Sequence, residues 1–190
     1  MTLTSMALGP MTLPKQAAAA VAGSLLIAVA AQVSVPFFPV PMTLQTLAVL
    51  TVGLAFGWRL GAATVVLYLA EGAAGLPVFA GLRNGVAFAG PTAGFLVGFV
   101  AMAAIAGLAA GRGLLAMAGA ALVASAALYA FGLAWPLAVA GALGIEGGWV
   151  GMTGRPLLEA FMLPFLLGDA VKAVLAALIV AGGMRALRRA

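Results

Sequence analysis

Asp169 and Lys172 stand three residues apart in the run Pro164-Phe165-Leu166-Leu167-Gly168-Asp169-Ala170-Val171-Lys172-Ala173, whose apolar character continues to Val180. In a helix three residues is nearly one turn, so the acid and the base share a face. A charge at the centre of a membrane helix costs roughly 2.5–3.5 kcal/mol. Two charges on one face are tolerated where each neutralises the other, or where both meet a polar ligand in a cavity. An ionised aspartate only accepts hydrogen bonds and a lysine only donates them, so the pair together can read a small molecule carrying both kinds of group. The alternative is a pair that snorkels to the helix end and binds nothing. The pattern points to a buried small-molecule site.

Other chemistries are thinly supplied. The chain has no cysteine and no histidine, which removes disulfides, thiolate nucleophiles, imidazole bases and the commonest metal ligands. Its carboxylates are Glu71, Glu146, Glu159 and Asp169, and neither lysine follows a glycine, so there is no P-loop. Gly111-Arg112-Gly113-Leu114-Leu115-Ala116 fits G-x-G-x-x-A, but without a preceding strand it reads as the turn of a helical hairpin. No cofactor and no metal are expected.

The elements that must hold the pair are helices in lipid. Of the 190 residues 65% are hydrophobic and 7% charged, with a mean hydropathy of +1.24. Soluble domains carry about 25% charged residues, so this chain cannot cover itself with a solvated surface. The net charge of +5 is dispersed between apolar stretches, which argues against nucleic acid as a partner. A single domain over residues 1–190 is expected: an all-α bundle of six transmembrane helices at about 15–34, 44–58, 60–74, 92–111, 114–135 and 165–182. No charge precedes Lys15, so the basic start of a secretory signal is missing.

Between the spans the chain is punctuated. Residues 35–43 hold Pro36, Pro39 and Pro41, which forbid a continuous helix; so apolar a loop lies on the membrane surface or forms a flap over a pocket. Gly53, Gly57 and Gly61 predict a tight second hairpin, and Gly90, Gly94 and Gly98 recur one turn apart. Pro136 is expected to end the fifth span. Residues 137–163 are too short and polar for two further spans, with a short interfacial helix from about Pro156. Lys15, Arg59, Arg112, Arg185, Arg188 and Arg189 fall on the side of the termini, and Arg83 and Arg155 on the other. That asymmetry puts both termini in the cytoplasm (N-in, C-in) and the start of the sixth span, the proline loop and residues 75–91 at the outer face. An outward-facing pocket capped by apolar loops follows.

Further polar candidates near that face are Asn84, Arg83, Tyr68 and Gln45. Asn84 can hydrogen-bond a ligand's amide edge, or serve as a turn residue in Arg83-Asn84-Gly85; Arg83 can equally be a solvated loop charge. Tyr68 can pack with its hydroxyl satisfied locally, Gln45 can cap the second span, and Glu71 can pair with Arg83. Trp58 and Trp135 read as interfacial anchors. On the first span Ala18 and Ala22 lie one turn apart on a small-residue face, with Ala19–Gly23 and Ala20–Ser24 offering the same spacing.

These pieces together resemble the BioY family, the biotin-binding substrate-capture (S) components of energy-coupling-factor (ECF) transporters. The resemblance is carried by Gln32 through Pro36, Val40-Pro41-Met42-Thr43-Leu44-Gln45-Thr46, Leu76-Pro77-Val78-Phe79, Gly90-Pro91-Thr92-Ala93-Gly94-Phe95, and Pro164 through Asp169 with Lys172. Ala93, Phe95 and Leu167 depart conservatively from the family's pattern. The resemblance implies six helices, biotin capture in the cytoplasmic membrane of a prokaryote, and assembly with a transmembrane coupling subunit and ABC-type ATPase subunits. It implies that Asp169 and Lys172 bind the substrate and that the Ala18–Ala22 face docks the coupling subunit. Two rivals stay open: the same fold serving another vitamin, and an intramembrane acid–base enzyme using Asp169 with Glu71 or Glu159, or Lys172 as base.

Overall fold

Glycines and prolines set where each apolar stretch stops being helical. In the computed structural model, which describes residues 1–189, a short helix α1 (Leu3–Leu8) precedes α2 (Leu13–Gln32). An antiparallel ribbon follows, β1 (Ser34–Val35) paired with β2 (Met42–Thr43) in the register Ser34↔Thr43 and Val35↔Met42. Next come α3 (Gln45–Phe56), α4 (Trp58–Ala73), a 3-10 turn at Gly85–Ala89, α5 (Ala93–Gly107) and α6 (Leu114–Ala134). The chain ends with α7 (Ala140–Ala142), α8 (Gly154–Phe161) and α9 (Leu166–Arg189).

Three helical stretches are long and apolar enough to cross a membrane: Leu13–Gln32, Leu114–Ala142 and Leu166–Arg189. Gln45–Phe56 and Ala93–Gly107 are apolar but shorter. Leu25, Val29, Val66, Val97, Val123 and Ile179 stay exposed, an apolar belt suited to lipid rather than water. α5 packs on α6, α4 and α3, α9 on α6 and α3, and α2 on α4 and α3. Leu3 lies beside Gly183, so α1 and the last turns of α9 share one end of the bundle. The ribbon and the start of α9 lie at the other.

Two expectations are corrected. The fold is not wholly α, because the proline loop closes into the ribbon, with the Leu44 amide donating to the Val33 carbonyl at 3.1 Å. Pro136 does not end the fifth helix: a π turn at Trp135–Val139 widens the backbone around the residue that lacks an N–H, and the helix continues to Ala142. The helix that holds the sixth expected span, 165–182, runs on to Arg189. A short helix does stand where one is expected from about Pro156: α8, with Pro156 in its first turn.

Small residues set the helix spacing. A Cβ at Gly94 would collide with the Phe131 carbonyl oxygen and the Trp135 Cβ, and one at Gly98 would lie 2.8 Å from Leu128 Cδ1 and 2.9 Å from Phe131 Cβ. Gly57, at φ +83°, makes the turn between α3 and α4, and a Cβ on Gly61 would approach the Gly53 Cα to 2.9 Å. Gly94→Val is therefore expected to force α5 off α6. Overpacking of this kind costs about 1–3 kcal/mol, so the melting temperature of the detergent-purified variant should fall clearly below wild type. An unchanged melting temperature would mean that α5 and α6 do not meet at Gly94.

The loops are pinned to the helices by polar contacts. Gln32, at the end of α2, donates from Nε2 to the Phe79 carbonyl at 3.1 Å and accepts from the Leu82 amide at 3.1 Å. Trp135 Nε1 donates to the Gly90 carbonyl at 2.9 Å, so this half-buried side chain anchors a loop. The Gly151 amide donates to the Pro136 carbonyl at 2.7 Å and draws residues 147–151 over the bundle. Together these bonds roof the space where α3, α5 and α9 begin.

Candidate ligand-binding site

A cavity of about 640 Å³ lies beneath that roof, within the roughly 300–1,000 Å³ typical of small-molecule sites. Phe37, Phe79, Phe95, Phe99, Trp149 and Phe165 make its walls largely aromatic. Phe37 reaches from the ribbon to Phe165 at a ring-centroid distance of 6.0 Å, edge to face, so the proline loop covers the cavity as a flap.

Polar groups converge at one side. Asp169 and Lys172 both line the cavity, with only 5% and 8% of their surfaces exposed. Lys172 Nζ donates to Asp169 Oδ1 at 3.2 Å, as their spacing on α9 predicts, and to the Thr43 carbonyl of β2 at 2.8 Å. Thr46, in the first turn of α3, donates from Oγ1 to Asp169 Oδ1 at 2.9 Å; Tyr129 of α6 donates to Oδ2 at 2.6 Å. The carboxylate thus joins three helices and, through Lys172, the flap.

This geometry leaves a defined capacity for a ligand. A carboxylate offers about four lone-pair sites, and three are used here, so one further N–H can be accepted. The Tyr129 and Thr46 hydroxyls, having donated inward, present their own lone pairs. Lys172 has three N–H donors and uses two within the protein. The cavity therefore offers two or more acceptors beside one cationic donor, at the edge of an apolar chamber.

The other candidates separate. Gln45 lines the cavity and donates from Nε2 to Tyr68 Oη at 2.7 Å. Tyr68 itself lies behind that wall, fully buried, donating to the Val78 carbonyl at 3.0 Å and packed edge to face on Phe79. It positions Gln45 and does not reach the cavity. Asn84 is also outside the lining: its side chain accepts from the Val86 amide at 3.3 Å and caps the 3-10 turn. Arg83 is exposed and borders the cavity. Glu71 does not pair with Arg83; it accepts from the buried Ser24 hydroxyl at 2.9 Å, and Glu159 pairs with Arg155 at the surface. Neither glutamate lines the cavity with Asp169. No cluster of three or more His, Cys, Asp or Glu side chains exists among the described residues.

Thr46, Tyr129 and Trp149 were not among the candidates singled out from the sequence. Tyr129 and Thr46 had a signal, as hydroxyls in otherwise apolar stretches at the depth of Asp169. Trp149 had none, since its place over the cavity depends on the bond from Gly151 to Pro136.

Comparison with known proteins agrees with this architecture. Among solved structures, the S-component for biotin from an ECF-type ABC transporter superposes with a TM-score of 0.71 over 95% of this chain and 96% of that one, at 22% identity. The two share a fold. The biotin transporter BioY of Rhodobacter capsulatus is 39% identical over 169 residues, covering 82% of this chain and 85% of that protein. The probable biotin transporter BioY of Pyrococcus horikoshii is 45% identical over 84 residues, 44% of this chain, so the match spans about half, 52%, of that relative's length. The BioY family model matches residues 4–189. The chain belongs to the BioY family.

Proposed function

We propose that this protein captures biotin at the outer face of the cytoplasmic membrane, as the S component of an energy-coupling-factor transporter. The observation that carries the reading is the buried Asp169–Lys172 pair, joined by Thr46 and Tyr129 at the edge of the aromatic cavity. Biotin presents a cyclic urea with two N–H donors and one carbonyl, an apolar thioether ring and a carboxylate tail. One ureido N–H meets the free lone pair of Asp169 and the other a hydroxyl of Tyr129 or Thr46. The third N–H of Lys172 meets the ureido carbonyl beside them. The thioether ring lies against the aromatic walls, and the carboxylate faces the guanidinium of Arg83 at the rim. The names of the relatives support this substrate over another vitamin. An acid–base enzyme is disfavoured because no second carboxylate reaches Asp169.

The proposed topology has six spans, α2, α3, α4, α5, α6 and α9, with both termini cytoplasmic. The distribution of basic residues supports it. The short helices α3 and α5 fit this count because the cavity and its loops fill the depth they leave. Cysteines replacing Arg59, Arg112 and Arg188 are expected to label from the cytoplasm, and one replacing Arg83 from outside. Labelling of positions 59 and 83 from the same side would exclude the six-span arrangement.

The chain carries no nucleotide-binding motif, so uphill uptake draws on partners, the coupling subunit and its ATPases. Ligand identity is tested by extracting the purified protein after expression with biotin. Mass spectrometry should return unmodified biotin in near-stoichiometric amount. Recovery of a different vitamin, or of a chemically altered product, would overturn the assignment.

A further inference from the structure

A second, smaller cavity of about 180 Å³ lies at the opposite end of the bundle, between the start of α6 and the last turns of α9. Asp169 and Arg185 are sixteen positions apart on α9, so it is about 24 Å from the ligand site along the helix. Its floor is apolar, with Met117 and Met184 buried and Leu114 half-buried. Its rim carries Arg112, Arg185 and Arg188, all exposed. Arg185 and Arg188 are three residues apart and share a face of α9. Arg112 comes from the turn that leads into α6. The salt bridges among the described residues are Arg155–Glu159 and Lys172–Asp169, so neither pairs with these arginines. α6 begins at the same place with no side chain capping it, so its first-turn N–H groups and the positive end of a long helix face the rim.

We propose that this groove binds the headgroup phosphate of an anionic phospholipid of the cytoplasmic leaflet. Three guanidinium groups and a helix N-terminus supply charge and donors for a phosphodiester. The buried methionines and Leu114 beneath them supply an apolar floor for the first carbons of the acyl chains. That pairing of basic rim and apolar floor matches an amphiphile lying across the groove. The assignment of leaflet rests on the topology proposed above; the choice of headgroup rests on the groove alone.

The test uses the purified full-length chain in neutral detergent, examined by native mass spectrometry with added phosphatidylglycerol, phosphatidylcholine or inorganic phosphate. Phosphatidylglycerol adducts are expected to persist where phosphatidylcholine adducts do not, and inorganic phosphate should not displace them. Each of Arg112→Gln, Arg185→Gln and Arg188→Gln should weaken phosphatidylglycerol about fivefold, and the triple variant about a hundredfold. Biotin binding, read on the same samples, should be unchanged and reports that the variants are folded. Should the triple variant fail to fold, Arg188→Gln, near the exposed end of α9, carries the decision. Equal retention of the two lipids, or undiminished phosphatidylglycerol binding by folded variants, overturns the proposal. Full displacement by inorganic phosphate overturns it in favour of a soluble-anion site. Unchanged lipid binding with lost coupling-subunit capture overturns it in favour of a protein contact. Absence of biotin binding in the wild-type chain would count against the biotin reading and leave the lipid result standing.

Discussion

Asp169→Asn is expected to lower biotin affinity by one to two decades and to destabilise the protein as well. Asp169 accepts hydrogen bonds on both oxygens, from Thr46 and Lys172 on Oδ1 and from Tyr129 on Oδ2. An asparagine has one oxygen: with its amide toward Lys172 a donor meets a donor, and with its amide toward Tyr129 the hydroxyl must turn to accept and its short bond to the carboxylate is lost. Lys172 also loses its counter-charge while remaining buried. Removing one member of a buried pair costs about 3–5 kcal/mol of stability. Losing a charged hydrogen bond to a ligand costs about 1.5–3 kcal/mol, which sets the expected loss of affinity. Lys172→Met should weaken binding to a similar degree, and it also frees the Thr43 carbonyl of the flap strand. The double variant Asp169→Asn with Lys172→Met separates the two effects. With neither charge buried alone it should recover much of the stability, yet bind biotin no better than the single variants. Melting temperature and equilibrium binding in detergent, measured on all three, give both quantities. Affinities within twofold of wild type in the folded single variants would sink the site.

The pair itself is legible in the linear sequence because a charge in an apolar run is rare, and three residues on a helix fix a shared face. Its partners stand out only as hydroxyls in apolar stretches, and which of them reach the pair is not legible. Thr46, Tyr129 and Asp169 lie far apart in sequence, and no spacing relates them; only the packing of α3, α6 and α9 does. The two tyrosines make the point sharply. Tyr129 and Tyr68 sit in similarly apolar helices, yet one lines the cavity and the other stands behind its wall. A helix that is apolar all round carries no amphipathic period from which to read the inward azimuth. The same ambiguity applies to Arg83 and Asn84, adjacent in one glycine-rich loop, of which only Arg83 borders the cavity. Helix limits are better legible, since glycine, proline and charge punctuate them. Pro136 misleads because a π turn accommodates it, which depends on backbone geometry and not on composition.

Ala18→Trp or Ala22→Trp is expected to abolish co-purification with the coupling subunit and energised uptake while leaving biotin binding intact. Three registers of small residues are available on this helix, and packing distinguishes them. Ala19 and Gly23 are buried in the bundle, and a Cβ on Gly23 would lie 2.7 Å from Thr64 Cγ2 and 2.9 Å from Phe56 Cε2. Ser24 is buried as well and donates to Glu71, so the Ala20–Ser24 register is also engaged within the chain. Ala18 and Ala22 are exposed. Among these pairs they alone leave a small-residue face turned out toward lipid, where helices associate by close backbone approach rather than by hydrophobic force. An indole there projects into lipid and holds a partner helix away, without touching the packing of α2 on α3 and α4. Ala18 lies fourteen positions before Gln32, about 21 Å along the helix from the end that clamps the cavity loops, so the binding site should not register the change. Gly23→Trp is the matched control, for it enlarges a position with no room and should destroy folding and biotin binding together. The measurements are affinity capture of the subunits, uptake in cells and biotin binding by the isolated protein. Loss of biotin binding in Ala18→Trp or Ala22→Trp would mean that this face packs inside the bundle, and normal assembly in both would place the docking surface elsewhere.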